Sequence, residues 1–204
     1  MIDRREYQAV ELLVLFILMP LLYLFDLIPV HKFIPLLLLF LYCIFVLGIH
    51  KRLKQINWKL QAHWKHIGTR FAGVTLVVFL FILLTSHPLL ADLQAQKRLL
   101  LMIIIYPFLS AFPQELIFRE FFFFRYTTLF KNQKSLLVSN VLLFSFAHIF
   151  FYNWIILVFT LVAGSIFAST YLKTKSLLVV TLEHTVYGLM ILFSGLAGYF
   201  YKEF

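Results

Sequence analysis

Apolar residues fill long stretches of this chain, separated by short clusters of Lys, Arg, His and Asn. Apolar runs approaching 20 residues are long enough to cross hydrocarbon as helices. Seven can be drawn. The first runs from Val10 to Leu24 and ends at Asp26; the second runs from Phe33 to Ile49 and the third from Phe71 to Leu90. The fourth begins at Leu99 and continues, interrupted by Pro107 and Pro113, to about Phe124. The fifth covers Leu136 to Phe151, the sixth Trp154 to Leu172, and the seventh Leu177 to Tyr199. A split of the fourth at Pro113 would give eight helices. The alternation of a membrane β-barrel is absent, and helices satisfy their own backbone groups in lipid. The pattern predicts an all-α, polytopic transmembrane helical bundle of seven to eight helices, one domain over residues 1–204.

Composition agrees. Of the 204 residues 62% are hydrophobic and only 13% charged, where soluble proteins carry about a quarter charged residues. Too few charges remain to coat a water-facing surface. The net charge of +9 gives no reason to invoke nucleic acid, because the basic residues sit between apolar runs, as topology signals do. The lone cysteine, Cys43, lies inside an apolar run, cannot form an intrachain disulfide and reads as a small packing residue. The first run leads into a multi-span body with no small-residue cleavage site after it, and reads as a retained span.

Lys and Arg also set an expected orientation. With the N-terminus inside and seven alternating spans, 13 of the 18 basic residues fall on inner segments and four, Lys32, Lys97, Arg98 and Lys202, on outer ones. The positive-inside rule then predicts a cytoplasmic N-terminus in the cell membrane. The one sizeable loop, His50 to Arg70, holds six basic residues with Trp58 and Trp64. It reads either as an amphipathic helix on an anionic leaflet or as a basic loop anchored by interfacial Trp.

The informative residues are those that do not belong in lipid. Glu115, Glu120, Glu183 and Arg119 lie well inside apolar segments, as do two of the seven histidines, His148 and His184. An acidic or basic group at mid-bilayer costs at least about 2.5–3.5 kcal/mol, so such groups face the bundle interior and pair. Counted from the expected inner ends, Glu115, His184 and His148 lie roughly 13, 10 and 18 Å deep. The three are expected to converge on one cavity. Glu115 and Arg119 are four apart, where a charge pair forms readily; on its own this is a structural role. Glu120 turns away from Arg119, and Glu183 points to a face neighbouring that of His184. A lone buried His is more often a hydrogen-bonded core residue than a catalyst, but two with a Glu at matched depth favour proton chemistry.

These residues carry a resemblance. Gln114-Glu115-Leu116-Ile117-Phe118-Arg119 resembles the Glu-Glu-x-x-x-Arg motif of the CAAX protease and bacteriocin-processing family of intramembrane proteases (CPBP, or Abi). Phe144 to His148 fits its Phe-x-x-x-His motif, and His184 to Gly188 approaches its His-x-x-x-Asn or Asp motif. The resemblance covers about residues 99–199. It implies peptide-bond hydrolysis within the membrane, on a hydrophobic or lipidated peptide such as a prenylated CAAX segment, in contact with membrane lipids. A glutamate and a histidine would activate water, with a second histidine and the Asn stabilising the oxyanion. The chain lacks the His-Glu-x-x-His zinc helix, so no metal or other cofactor is expected.

Two positions depart from the motifs. Gln114 stands where the family has its water-activating Glu; a Gln can hold water but cannot take its proton at neutral pH. Gly188 stands where the family has Asn and offers no side-chain donor to an oxyanion. Glu115 would serve as base only after a rotation of about 100° about the helix axis or a re-aiming by Pro113, and Tyr187 would be the substitute donor. The expected site is Glu115, His148, His184, Gln114 and Arg119: His148 with Glu115 or Gln114 orders the water, and His184 binds the oxyanion. The alternatives are a degenerate family member that binds a hydrophobic peptide or a partner membrane protein, and, last, a proton-coupled transporter.

Overall fold

Residues 3–31, 33–60, 64–85 and 101–193 are described by the structure, a computed structural model. Among them are four helices long and apolar enough to cross a bilayer: α1 (Arg4–Leu24), α4 (Leu101–Leu129), α5 (Gln133–Phe151, its last turn 3₁₀) and α6 (Trp154–Thr174). Three further apolar helices complete the bundle: α2 (Phe33–Ile49), α3 (Trp64–Thr85) and α7 (Leu177–Phe193). The chain is a helical membrane bundle, as the apolar runs predict. The ends of the third and seventh expected spans lie outside the described residues.

Polar residues punctuate the helices. Asp3 and Glu6 form a capping box at the start of α1. Asn132 and Asn153 accept the backbone N–H groups of Ser135 and Ile155 and so start α5 and α6. Left-handed residues at Tyr152 (φ 52°) and Lys175 (φ 51°) end α5 and α6, leaving connections too short to do anything but reverse direction.

Two differences from the expected elements have physical causes. Pro107 and Pro113 do not split α4. The helix absorbs them with widened π turns at Pro107–Ala111 and Leu116–Phe121, which re-satisfy the backbone groups that proline disturbs. The basic loop after α2 is shorter than expected, because Trp64 to Arg70 already form the first turns of α3. No amphipathic helix lies along the rest of it among the described residues. Instead Leu177 donates to the Asn57 carbonyl (3.0 Å) and Ser176 Oγ to the Lys59 carbonyl (2.8 Å), tying this segment to the α6–α7 junction.

The core is aromatic. Phe16 of α1, 1% exposed, meets Phe118, Phe122 and Tyr126 of α4 edge to face at 5.3–5.9 Å. Gly164 lets α6 approach α5, since a Cβ there would come within 2.9 Å of the Phe144 ring. Outward-facing Leu37, Phe45, Ile104, Phe108 and Val162 are exposed, the apolar coat of a protein solvated by lipid.

One ion pair locks α1 to α4. Glu11 accepts from Arg125 Nε at 2.7 Å and Nη2 at 3.3 Å, and from the Tyr42 hydroxyl of α2. Both charged groups are buried, and breaking a buried pair by removing one partner costs about 3–5 kcal/mol, whereas replacing both by apolar residues is often neutral. Glu11→Leu or Arg125→Leu is therefore expected to lower unfolding stability in detergent by about that amount, and the double variant by much less. Thermal unfolding of the three proteins side by side checks this.

Candidate active site

The site grows from one turn of α4. Pro113 and the π turn that follows it bring Glu115 and Arg119 wholly inside the protein, both 0% exposed. Arg119 Nε donates to Glu115 Oε2 at 2.9 Å, the i,i+4 pair read from the sequence. The other carboxylate oxygen, Oε1, lies 2.7 Å from His184 Nδ1 on α7. Glu115 thus joins α4 to α7, with a different partner on each oxygen. Arg119 Nη1 donates to Asn140 Oδ1 on α5, and Asn140 Nδ2 returns to the Phe118 carbonyl at 2.6 Å. The guanidinium also lies over the Phe144 ring, 5.0 Å from its centroid.

The histidines are held from their backs. His148 sits in the turn just beyond the α-helical part of α5 rather than within an unbroken helix, and its Nδ1 lies 2.7 Å from the Phe144 carbonyl. A carbonyl only accepts, so Nδ1 carries the hydrogen and Nε2 is the basic nitrogen of the neutral ring. The His184 ring stacks on Phe167 (centroids 4.5 Å apart, 18°). Both imidazoles flank Phe144, at 5.0 and 6.1 Å.

His148, His184 and Gln114 all line one cavity of about 590 Å³. Its remaining wall is largely apolar and includes Met19, Leu36, Leu39 and Phe118. Glu115 and Arg119 are not on that wall; they stand behind His184. Gln114 Nε2 donates to Ser110 Oγ at 3.0 Å, and among the described residues its buried Oε1 has no hydrogen-bond partner. The cavity therefore brings an amide side chain and two imidazoles to an otherwise largely apolar surface.

The structure thus brings Gln114, Glu115, Arg119, His148 and His184 together. Glu120 points elsewhere, to Arg52 Nε (2.9 Å) and the Tyr171 hydroxyl (2.6 Å), a separate buried network. Glu183 accepts from the Tyr187 hydroxyl at 3.3 Å. Sequence reasoning missed Asn140, whose isolation in an apolar run was the available signal, and Tyr106, whose ring meets His184 edge to face at 6.0 Å. Among the described residues, no three or more His, Cys, Asp or Glu side chains form a group that could hold a metal ion.

Fold and site together define an integral membrane protein with a buried polar constellation opening onto an apolar cavity. Residues 96–190 match a family model described as Type II CAAX prenyl endopeptidase Rce1-like. All three motifs, Gln114–Arg119, Phe144–His148 and His184–Gly188, fall inside the matched segment, and the family resemblance read from them is shown there. No curated protein and no solved structure matches the chain.

Asn140 closes the network that Arg119 needs. Asn140→Leu leaves both Arg119 Nη1 and the Phe118 carbonyl without this partner, and a buried unsatisfied group costs about 1–3 kcal/mol. Unfolding stability in detergent is expected to fall by at least that much. An unchanged melting temperature would show that the guanidinium is held without it.

Proposed function

We propose that the chain is an intramembrane endopeptidase that hydrolyses a peptide bond of a membrane-associated or lipidated peptide. The observation that carries the reading is the meeting of His148, His184 and Gln114 on the wall of one apolar cavity. Apolar walls suit a lipid chain or hydrophobic side chains, and the polar end is where a scissile carbonyl would lie. Water in the cavity lies beside Gln114 and donates a hydrogen bond to His148 Nε2. His148 takes the proton as the oxygen adds to the carbonyl carbon, and returns it to the leaving amine as the C–N bond breaks. His184, oriented through its Nδ1 by Glu115, presents Nε2 to the oxyanion and donates there when the ring carries both hydrogens. Glu115 and Arg119 are positioning residues in this scheme, since both carboxylate oxygens are engaged behind the ring.

We further place the protein in the cell membrane with seven alternating spans and the N-terminus on the cytoplasmic side. Two observations support the alternation. At one end of the bundle Gln8 of α1 donates to the Arg125 carbonyl of α4, and the α2–α3 segment bonds to the α6–α7 junction. At the other end the Tyr152 hydroxyl donates to the Leu24 carbonyl.

A second reading is favoured by one residue. Gln114 supplies no carboxylate where the motif has its water-activating Glu, which suits a catalytically silent member that binds a hydrophobic peptide. Cleavage of a prenylated peptide by the protein in bilayers separates the two. The endopeptidase reading predicts that His148→Ala and His184→Ala each lower kcat by about 10²–10⁴-fold, and that Gln114→Glu raises it. Turnover unaffected by both histidine changes would overturn it, and turnover found only after Gln114→Glu would establish the silent member.

A further inference from the structure

Gly188 lies one turn beyond His184 on α7, at the motif position where an Asn side chain is expected to reach the oxyanion. The space that such a side chain would enter is not empty. A Cβ built on Gly188 runs into the phenol end of Tyr106, meeting its hydroxyl oxygen and the adjoining ring carbons. No side chain at position 188 can coexist with Tyr106 where it stands. The two residues are complementary: α7 gives up a side chain, and the adjoining α4 sends a phenol into the same place.

That phenol is well set. Tyr106 lines the cavity with Gln114, His148 and His184, and its ring packs edge to face on His184. It immediately precedes Pro107, where the first π turn of α4 begins, so the same distortion that admits the proline fixes where the ring leaves the helix. A tyrosine hydroxyl is a donor, and here its aromatic stem is packed against His184. Tyr187, the substitute suggested by sequence adjacency, is engaged elsewhere. Its hydroxyl donates to Glu183 and its ring stacks on Phe167 (5.9 Å, 21°).

We propose that Tyr106 is a catalytic residue of this chain, its hydroxyl donating to the oxyanion from the place that Gly188 leaves free. The proposal rests on the endopeptidase reading.

The test uses the full chain in proteoliposomes with a prenylated, internally quenched peptide. The proteins are the wild type, Tyr106→Phe, Tyr106→Ala, Gly188→Asn, Tyr106→Ala/Gly188→Asn and His148→Ala/His184→Ala. Tyr106→Phe keeps the ring and its packing, and is expected to lower kcat by about 10²–10³-fold, as loss of one oxyanion donor does, with KM little changed. Gly188→Asn alone is expected to lower both the melting temperature and activity, because the Asn collides with the phenol. The double variant is expected to exceed Tyr106→Ala in kcat by about tenfold or more, a donor being worth at least that. A Tyr106→Phe protein with wild-type kcat would overturn the proposal while leaving the endopeptidase intact. If Tyr106→Phe is poorly folded, the double variant decides, and no gain over Tyr106→Ala would overturn it equally. A wild type no faster than His148→Ala/His184→Ala would remove the endopeptidase reading and the role of Tyr106 with it.

Discussion

The organisation of this protein depends on a single carboxylate kept out of both water and lipid. Glu115 is fully buried, and each oxygen has a charged or chargeable partner: Arg119 from its own helix and His184 from α7. Removing a carboxylate from water costs several kcal/mol even after relaxation, and only close, well-aligned partners offset it. The same requirement passes outward. Arg119, equally buried, needs Asn140 on α5 and the face of Phe144, and Asn140 in turn needs the Phe118 carbonyl. Three helices are thereby held in register by hydrogen bonds whose alternatives, in an apolar interior, are all worse. Association between lipid-bathed helices has little hydrophobic drive, so such a network contributes orientation that apolar packing alone would not.

This arrangement separates support from chemistry. The charged pair sits behind His184, while the polar side chains that line the cavity, among them Gln114, His148, His184 and Tyr106, include no carboxylate, lysine or arginine. Most of the remaining wall is hydrocarbon and aromatic ring. Under the proposed function, a peptide carrying a lipid or apolar side chains would leave the bilayer for such a surface without trading one solvent for a very different one. The family match over residues 96–190 covers the helices that bear these groups, α4 to α7. The first two helices contribute apolar wall, through residues such as Met19 and Leu36, and they and the segment after α2 lock onto the core through Glu11 with Arg125 and Arg52 with Glu120.

Much of this is legible in the chain before any coordinates, for definite reasons. The second span was readable to the residue, Phe33 to Ile49, because loop residues bound it on both sides. The placement of Glu115, Arg119 and His184 in the interior follows from the cost of an ionised group in lipid, and the 115–119 pairing from helix periodicity. Neutral polar residues carry no such signal: Asn140 and Tyr106 cost little in a sequence count, and only the fold shows what they touch. Arg125 sits near a helix end and reads as a topology charge, whereas the bundle buries it against Glu11. The prolines of α4 read as interruptions because a π turn has no sequence mark of its own. The depth argument placed Glu115 among the cavity residues. Its helix instead turns it behind His184, since both of its oxygens are better satisfied there than on an apolar wall.

The central claim is that Glu115 holds His184 across the α4–α7 interface. Solid-state NMR of the bilayer-embedded protein, with ¹⁵N-labelled histidine and ¹³C-labelled glutamate carboxyl groups, measures this directly. The account predicts one strong dipolar coupling, between His184 Nδ1 and the Glu115 carboxyl carbon, at hydrogen-bond range. A His184 signal with no carboxylate neighbour, or one coupled to Glu183 instead, would contradict it.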